Sequence, residues 1–362
     1  MLDLVIGEAI IDTTFGAGIV PLDPAHAAAA RERIDALTKP LRSLGRIEEL
    51  AVRLCAIAGG IPPNAYERRA VLIGAADHGV ADDGVSAYPA VVTTQMAGAF
   101  LGGIGAINAF SRAVRAEVYV ADFGMRTPLP AHPRLIDVRC GPGTASMAHG
   151  PAIPAERLGE VLRAGETAFE MVYERAPFDV VAFGDMGIAN TTAAAAIVAA
   201  FTGSQASDVV GRGTGIDDAR LLRKTEIVEA VVRRIGTPAW QRVASEAGGY
   251  EIVGLAGAML AAARRRIPIV LDGYIVTAAA LIAHAIAPSI AEYYIAAHRS
   301  REPGHLRALA ALGLRPLLDL DLALGEASGA VLAFPLIEAA ARMVREMKTF
   351  AEAGVASEEP VT

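Results

Sequence analysis

The chain has 362 residues, of which 53% are hydrophobic, 20% are charged and 5% are aromatic. This length is typical of about two domains, and the apolar fraction excludes a disordered chain. The 33 Lys and Arg residues against 40 Asp and Glu give a net charge of −7, and no basic run is longer than Arg264-Arg265-Arg266. A nucleic-acid partner, which needs a basic surface, is therefore not expected.

The first part of the chain is predicted to be helical, from residue 24 to about residue 60. Asp23-Pro24 is an N-cap followed by a first-turn proline, and the turn-rich segment 39–45 separates two helices. Residues 1–22 are interpreted as an arm that packs on a partner subunit. Acidic residues stand where a signal peptide would carry positive charge, so we expect a cytoplasmic protein.

From residue 70 onwards, short apolar runs end in polar or glycine-bearing loops, and a helical run follows each loop. The loops of five such units lie at Asp77-His78-Gly79, Asp122-Phe123-Gly124, Asp185, Asp272-Gly273 and His298 to Gly304. Fully apolar strands that alternate with helices indicate a parallel sheet covered on both faces. Ligands bind such sheets outside the carboxyl ends of the strands, so these loops are expected at the rim of a site.

Two features are assigned to the protein interior. The most apolar stretch, Tyr274 to Ala297, is interrupted by a histidine, a proline and a glutamate, whereas a membrane-spanning helix needs about 20 apolar residues. We therefore predict a buried core helix and no membrane partner. Cys55 and Cys140 are too few for a disulfide framework or a cysteine zinc site, and we interpret both as buried apolar side chains.

The common nucleotide and hydrolase motifs are absent from the sequence: no G-x-G-x-x-G follows a strand, and no G-x-x-x-x-G-K-[ST], G-x-S-x-G or H-E-x-x-H occurs. The segment 184–192, GDMGIANTT, runs instead from a strand through a glycine-flanked loop into an alanine-rich helix. The N–H groups of a helix N-terminus suit a phosphate. Asn and Thr are also ordinary helix caps, so residue type leaves both interpretations open.

A second glycine-rich segment, 211–218 (GRGTGIDD), is followed by Lys224. Its glycines could wrap a phosphate, with Lys224 as the counter-charge. The pair Asp217-Asp218, like Asp82-Asp83, could also hold Mg²⁺. A helical pattern begins directly after Asp218, however, and this favours a helix cap for that pair.

Glu326 lies among small residues in the segment 324–330, LGEASGA. A carboxylate in apolar surroundings has a raised pKa and can act as a general base. The alternative is a glutamate at a helix start that the helix dipole stabilises. Periodicity does not separate the two interpretations.

A fourth group of candidates follows the first apolar strand: Asp77 and His78 at its end, then Tyr88 and Met96. An aromatic ring and a thioether suit a pocket for a flat ligand. On these residues alone we favour the alternative, in which Tyr88 and Met96 belong to the core and His78 makes a structural hydrogen bond.

Seven segments together resemble one known family, the nicotinate-nucleotide–dimethylbenzimidazole phosphoribosyltransferases of cobalamin biosynthesis. The segments are LTKPLRSLGRIEELA, ADHGVADDGVSAYP, GDMGIANTTAAAAI, GRGTGIDD, LDGYIVTAAAL, AAHRSREPGH and LGEASGAVLAFPLI, which occur in the family's order over most of residues 20–350. The resemblance implies a Rossmann-like parallel sheet with helices on both faces, a smaller helical lobe built from both ends of the chain, and a homodimer.

The chain is divided on the same basis. Residues 1–69 are predicted to form an arm and a helical lobe, and residues 70–305 the parallel α/β core. Residues 306–350 are predicted to complete the lobe and to carry the catalytic base. Residues 351–362 are predicted to be a frayed tail.

The reaction that the resemblance implies is transfer of 5-phosphoribosyl from nicotinate mononucleotide to a base such as 5,6-dimethylbenzimidazole, with inversion. Its products are α-ribazole phosphate and nicotinate. The resemblance assigns the general base to Glu326 and a supporting role to Asp185. It assigns phosphate and ribose binding to Gly187, Asn190, Thr191, Thr192, Lys224 and Ser300, and base binding to Tyr88, Met96 and Met186. No cofactor or metal is implied, because the reaction has no redox step and no pyrophosphate leaving group.

Three positions depart from the family's pattern. Asp185 stands where glutamate is usual, so its side chain is one methylene shorter. Arg42 occupies a turn position that is often glycine. Tyr88 and Met96 replace the serine and glutamine of some relatives, which leaves adenine, another azole or a phenol open as the acceptor.

Two further readings of the function remain open. A metal-dependent phosphoribosyltransferase that uses a pyrophosphate donor needs an apolar strand before its paired acids, and Asp217-Asp218 has none. A non-enzymatic nucleotide-binding regulator would keep the phosphate loop but would not need Glu326.

Overall fold

The centre of the molecule is a six-stranded parallel sheet. The computed structural model of the chain describes residues 13–213 and 215–356, and its main sheet has the strand order β3-β2-β1-β4-β5-β6. The strands are β1 (Arg69–Ala76), β2 (Ala116–Gly124), β3 (Leu135–Asp137), β4 (Val180–Met186), β5 (Ile269–Leu271) and β6 (Tyr294–Ala296). Every neighbouring pair is parallel. This is the doubly wound Rossmann order, and the predicted fold class is confirmed.

Helices cover both faces of this sheet. They are α1 (Pro24–Asp35), α2 (Arg46–Ala58), α3 (Val92–Leu101), α4 (Ala106–Val114), α5 (Leu158–Arg175), α6 (Asn190–Thr202), α7 (Ala206–Val209), α8 (Asp218–Ile235), α9 (Trp240–Ala247), α10 (Tyr250–Arg264), α11 (Tyr274–Ile286), α12 (His305–Ala311), α13 (Ser328–Leu332), α14 (Phe334–Glu346) and α15 (Phe350–Ala353). Successive residues of a strand point to opposite faces. Leu72 of β1 accordingly lies in the apolar core under α5, α6, α10 and α11, while Ile73 lies in the core under α2, α4 and α14.

Helices from the two ends of the chain pack together on one face of the sheet. Helix α2 contacts both α1 and α14. Arg69 of β1 joins this layer to the sheet, because its guanidinium donates to Val114 O at 2.7 Å and pairs with Glu338 of α14. The division of the chain at residues 69 and 305 stays a prediction.

The fifth predicted strand unit is divided between two sheets. Tyr294–Ala296 is β6 of the main sheet, whereas β7 (His298–Ser300) pairs in parallel with β8 (Leu318–Leu322). The interpretation of Tyr274 to Ala297 as one core helix is also wrong. Helix α11 is buried as expected but ends at Ile286, and a 3-10 turn at Pro288–Tyr293 precedes β6, because proline lacks the N–H that would continue the helix. Within the residues described, no helix combines the length and apolarity needed to cross a membrane.

The two ends of the described chain differ in part from the predictions of an arm at residues 1–22 and a frayed tail at residues 351–362. Phe15 and Ile19 are buried in the core of the same chain, and Tyr293 Oη donates to Val20 O at 2.7 Å, so the described part of the predicted arm packs on its own subunit. At the other end, α15 extends to Ala353 and therefore includes the start of the segment predicted to be frayed. Residues 1–12 and 357–362 lie outside the described residues.

Two side-chain predictions are confirmed. Asp23 caps α1, since its Oδ1 accepts from Ala25 N at 2.8 Å. Cys55 and Cys140 are both buried free thiols.

The turn between α1 and α2 contains a strained arginine. Lys39 Nζ lies 2.8 Å from Glu48 Oε1 in a buried ion pair, and Leu44 N donates to the same carboxylate oxygen at 3.0 Å. Within the turn that these contacts define, Arg42 has a φ of 56°. This left-handed conformation is unfavourable for any side chain with a Cβ atom, whereas glycine adopts it readily.

Replacing Arg42 by glycine is predicted to stabilise the fold. Relief of the left-handed strain is worth about 1–2 kcal/mol, and glycine's extra freedom in the unfolded chain offsets about 0.5–1 kcal/mol of it. Arg42→Gly should therefore raise the free energy of unfolding by roughly 0.5–1 kcal/mol in urea denaturation. Ser43→Gly, at a neighbouring position without a positive φ, is the control and should lose stability. An Arg42→Gly protein less stable than wild type would contradict the explanation.

Candidate active site

A cavity of about 390 Å³ lies at the carboxyl edge of the main sheet. Because all six strands are parallel, the loops that follow them meet at this edge. Ten of the eleven predicted site residues line the cavity: Tyr88, Met96, Asp185, Met186, Gly187, Asn190, Thr191, Lys224, Ser300 and Glu326. The eleventh, Thr192, does not line it, because its side chain is fully buried in α6.

The loop between β4 and α6 brings a helix N-terminus to the cavity. A Cβ atom at Gly187 would lie 2.7 Å from Ala76 O, so only glycine allows this loop to cross so close to β1. The capping position of α6 is Ala189, which has no side-chain oxygen. The interpretation of Asn190-Thr191-Thr192 as ordinary helix caps is therefore wrong, and the N-terminus of α6 opens onto the cavity.

Lys224 supplies a buried positive charge beside this N-terminus. It projects from α8, and its Nζ donates to Thr191 Oγ1 at 2.8 Å and to Gly211 O at 3.0 Å. Burial lowers the pKa of Lys224 to about 8, and the carboxylate of Glu302 acts in the opposite direction. The amine is thus largely protonated at neutral pH and lies where an anion at the helix N-terminus would bind.

The paired aspartates have structural partners. Asp217 caps α8, with its Oδ1 accepting from Arg220 N at 2.9 Å, so the cap interpretation is confirmed. Asp82 pairs with Arg126, and Asp83 with His149. In residues 13–213 and 215–356, no three His, Cys, Asp or Glu side chains are grouped so that they could hold a metal ion.

Glu326 lies in a strained turn that is pressed against two strands. Gly325, Glu326 and Ala327 have φ values of 85°, 64° and 64°. A Cβ atom at Gly184 of β4 would lie 2.5 Å from Ala327 N, which means that the turn packs on the bare backbone of β4. On the other side, the Asp272 carboxylate after β5 accepts from the N–H groups of the same turn.

The environment of Glu326 suits a base. Its side chain is only 6% exposed, and Oε2 has no hydrogen-bond partner among the described residues. Burial, together with the negative charge of Asp272, raises the pKa of Glu326 to about 7. Stabilisation by a helix dipole would lower this pKa, so that alternative does not account for the residue.

Asp185 lies beside the same turn, in surroundings that raise the pKa of its carboxyl group. Asn190 Nδ2 donates to its Oδ2 at 2.9 Å, and a Cβ atom at Gly325 would lie 3.5 Å from both of its carboxyl oxygens. Burial and the neighbouring Asp272 raise the pKa of Asp185 well above its usual value. Asp185 therefore takes up a proton more readily than a free aspartic acid does.

The aromatic and thioether residues predicted to bind the base line the same cavity. Tyr88 is 51% exposed, so its interpretation as core is wrong. Met96 and Met186 are partly buried against the apolar core and also line the cavity. His78 does not line it: its Nε2 lies 2.6 Å from Glu251 Oε1 and both side chains are buried, which confirms the structural interpretation of His78.

Three polar residues of the cavity were given no individual role in the sequence analysis. Arg212, Glu302 and His298 line the cavity, and His298 Nε2 lies 3.3 Å from Asp272 Oδ1. Burial disfavours the charged imidazole, but the Asp272 carboxylate outweighs this effect and the pKa of His298 lies above its usual value. The position of Asp272 directly after the apolar run IVL indicated that it lies near the site. Its hydrogen-bond partners could not be predicted, because they are distant in sequence.

Together, the sheet, the lysine at a helix N-terminus and the buried carboxylate are typical of an enzyme that binds a phosphorylated substrate. A family model described as DBI_PRT, phosphoribosyltransferase, matches residues 19–355. The chain is 49% identical over 343 residues to the nicotinate-nucleotide–dimethylbenzimidazole phosphoribosyltransferase of Chloroflexus aggregans, covering 94% of this chain and 97% of the relative. It is 50% identical over 336 residues to the enzyme of that name from Thermus thermophilus, covering 92% and 99%.

A solved structure gives the same result. The crystal structure of CobT from Thermus thermophilus superposes with a TM-score of 0.89 at 49% sequence identity, covering 92% of this chain and all of that one. The chain belongs to the nicotinate-nucleotide–dimethylbenzimidazole phosphoribosyltransferase family.

Adding a methyl group at Gly184 is predicted to displace the turn that carries Glu326. The new Cβ of Gly184→Ala would meet backbone atoms of Glu326 and Ala327 at 2.7 and 2.5 Å, and overpacking of this kind costs about 1–3 kcal/mol. Urea denaturation should show that loss. Gly98→Ala in α3, where the nearest atom to the new Cβ is 3.7 Å away, is the control and should not lose stability. Equal stabilities of Gly184→Ala and wild type would argue against the tight contact.

Proposed function

We propose that the protein transfers 5-phosphoribosyl from nicotinate mononucleotide to 5,6-dimethylbenzimidazole with inversion, giving α-ribazole phosphate and nicotinate in cobalamin biosynthesis. The proposal depends on one observation: the carboxylate of Glu326, the N-terminus of α6 and the amine of Lys224 all line one cavity. Membership of the family supports it, since relatives that the chain matches over more than nine-tenths of its length bear the name of this activity.

The donor's 5′-phosphate binds at the N-terminus of α6 in this proposal. Backbone N–H groups and the helix dipole favour an anion there, and Lys224 adds a charged donor 2.8 Å from Thr191 Oγ1. Gly187 and Ser300 line the same cavity, as does Asn190. Thr192 has no direct role, because its side chain does not reach the cavity.

The chemistry requires one proton to be removed. An azole nitrogen forms a bond to the anomeric carbon from the α face, while the bond to the nicotinate nitrogen on the β face breaks. That electron pair returns to the pyridinium ring, so nicotinate leaves with a neutral ring nitrogen and needs no acid. Glu326 takes the N–H proton of the azole, and a base of pKa about 7 is suited to this task near neutral pH. Asp185, which accepts a hydrogen bond from Asn190 in the same cavity, has a supporting role.

The acceptor base occupies the part of the cavity lined by Tyr88, Met96 and Met186. Tyrosine can stack on a flat ring or offer its hydroxyl, and methionine adapts to irregular shapes. These side chains favour a tolerant slot, so adenine, another azole or a phenol is a second candidate for the acceptor. Competition between dimethylbenzimidazole and each of these bases in one reaction, with products quantified by mass, ranks them.

A cytoplasmic homodimer is the form of the enzyme that we propose. Large apolar side chains are exposed on the isolated chain, including Ile104 (80%), Leu222 (62%) and Leu324 (55%), and burial of such side chains stabilises subunit association. Light scattering coupled to size-exclusion chromatography measures the mass in solution. A monomer at micromolar concentration would contradict the proposal.

The activity itself is tested by product analysis. The protein is incubated with nicotinate mononucleotide and dimethylbenzimidazole, with and without EDTA, and the products are separated and weighed by mass spectrometry. α-Ribazole phosphate and nicotinate should form at the same rate in both reactions. Turnover only with a pyrophosphate donor and Mg²⁺ would favour the metal-dependent alternative, and donor binding without any transfer would favour a regulator.

Replacing Glu326 by glutamine is predicted to nearly abolish transfer while leaving donor binding intact. The amide cannot accept the azole proton, and loss of a general base typically lowers the rate by about 10²–10⁴-fold. Turnover is measured with dimethylbenzimidazole, and binding of nicotinate mononucleotide by calorimetry. The same substitution at the exposed Glu229 of α8 is the control and should have no effect. Activity of Glu326→Gln within a few-fold of wild type would exclude Glu326 as the base.

Replacing Lys224 by alanine is predicted to weaken binding of the donor but not of the acceptor. The variant loses the charged hydrogen bond to the phosphate, and such bonds are about twice as strong as neutral ones. Calorimetric titrations with nicotinate mononucleotide and with dimethylbenzimidazole measure both affinities. Lys348→Ala, which does not line the cavity, serves as the control. Equal effects of Lys224→Ala on both ligands, or no effect on either, would refute the phosphate-binding role.

A further inference from the structure

Three consecutive residues with positive φ present Glu326 to the cavity. The values are 85° at Gly325, 64° at Glu326 and 64° at Ala327. Glycine adopts this conformation readily, but glutamate and alanine do so only where surrounding contacts hold them there. The turn must therefore have a partner that stabilises it in place.

Asp272 is that partner. One of its carboxylate oxygens, Oδ2, accepts from Ala327 N at 3.1 Å, and the other, Oδ1, accepts from Gly329 N and Ala330 N, each at 2.9 Å. Asp272 is the first residue after β5 and is 1% exposed. Its two oxygens thus join the rigid sheet to the residue that directly follows Glu326 and to the first turn of α13.

The carboxylate of Asp272 also lies beside a buried histidine. His298 Nε2 lies 3.3 Å from Asp272 Oδ1, and His298 is part of β7. The imidazole packs against the backbone of Gly329 so closely that a Cβ atom there would overlap the ring. His298, Asp272 and the turn at 325–330 therefore form one packed unit.

We propose that Asp272 is a positioning residue of this active site, which holds the 325–330 turn so that the Glu326 carboxylate faces the acceptor base. This inference rests on the proposed function, in which Glu326 is the base. Asp272 does not touch the reacting atoms and acts through Glu326.

The charge of Asp272 provides a signature that a purely structural residue lacks. Two carboxylates interact with Glu326, Asp185 of β4 and Asp272 after β5. The other ionisable groups of the cavity are His298 of β7, Arg212, Lys224 and Glu302. Burial is the first cause of the raised pKa of Glu326, and Asp272 is the neighbouring charge that adds to it. The base is active when deprotonated, so the rate should fall below about pH 7, and removal of the Asp272 charge should move this fall to lower pH.

The test is the pH profile of kcat/KM for Asp272→Asn. The amide keeps the size of the side chain but has one acceptor oxygen and no charge, so both functions of Asp272 are impaired. The plateau should drop by up to about 10²-fold, since small misplacements of a catalytic group have effects of that size. The acid limb should shift to lower pH. Ionisation of the two substrates is the same in both experiments, so a difference between the two pH profiles comes from ionisable groups of the protein.

Asp122→Asn is the matched control. Asp122 is also a buried carboxylate near the end of a strand, and its Oδ1 accepts from Gly124 N and Met125 N, but it does not line the cavity. Its replacement should leave the acid limb where it is in wild type. Calorimetry with nicotinate mononucleotide gives a second readout, because Asp272→Asn should retain wild-type donor affinity.

A second variant covers the case in which Asp272→Asn does not fold. Ala327→Gly removes the strain at a residue that Asp272 holds, and Asp272→Asn with Ala327→Gly should fold and show the same shift against Ala327→Gly alone. An acid limb unchanged in a folded variant, or failure of both variants to fold, would overturn the positioning role. Absence of transfer by the wild-type enzyme would instead refute the proposed function, so the two failures are distinguishable.

Discussion

The site depends on the close contact between the turn at 325–330 and the ends of β4 and β5. The contact has two parts: the absence of a side chain at Gly184, which admits the backbone of Ala327, and the hydrogen bonds from the turn to Asp272. It connects residues more than fifty positions apart in the chain. Through it, a carboxylate from the C-terminal part of the protein reaches the sheet edge where the helix N-terminus of α6 also lies.

Four buried carboxylates meet near this edge, and each is stabilised differently. Asp272 accepts three backbone N–H bonds, Glu251 pairs with His78, and the raised pKa of Asp185 favours its neutral form. Glu326 has the fewest compensating contacts, and its pKa is raised to about 7. Because a buried charge without partners is unfavourable, these surroundings prepare Glu326 to take up a proton.

The small residues of the helices allow the layers to pack closely enough to hold this edge rigid. Gly165 of α5 lies against the backbone of Gly254 in α10, and Gly257 lies against Leu162, so closely that a Cβ atom at either glycine would overlap the neighbouring helix. Helix α10 is buried over almost its whole length. This accounts for a composition with much alanine and glycine and few aromatics, since the core is built from close backbone approaches rather than from large side chains.

The sequence by itself determined the parallel α/β class, the positions of five of the six strands of the main sheet, the family resemblance and ten of the residues that meet in the cavity. Local patterns of apolar strands, glycine-bearing loops and acidic strand ends carry the fold class, and the family resemblance carries the assignment of the site residues. Tertiary structure alone decided that β7 leaves the main sheet to pair with β8, that Thr192 belongs to the core, and that His78 is paired with Glu251. It also decided the pKa of Glu326 and the role of Asp272, because burial and the partners of a carboxylate depend on residues that are distant in the chain and near only in the fold.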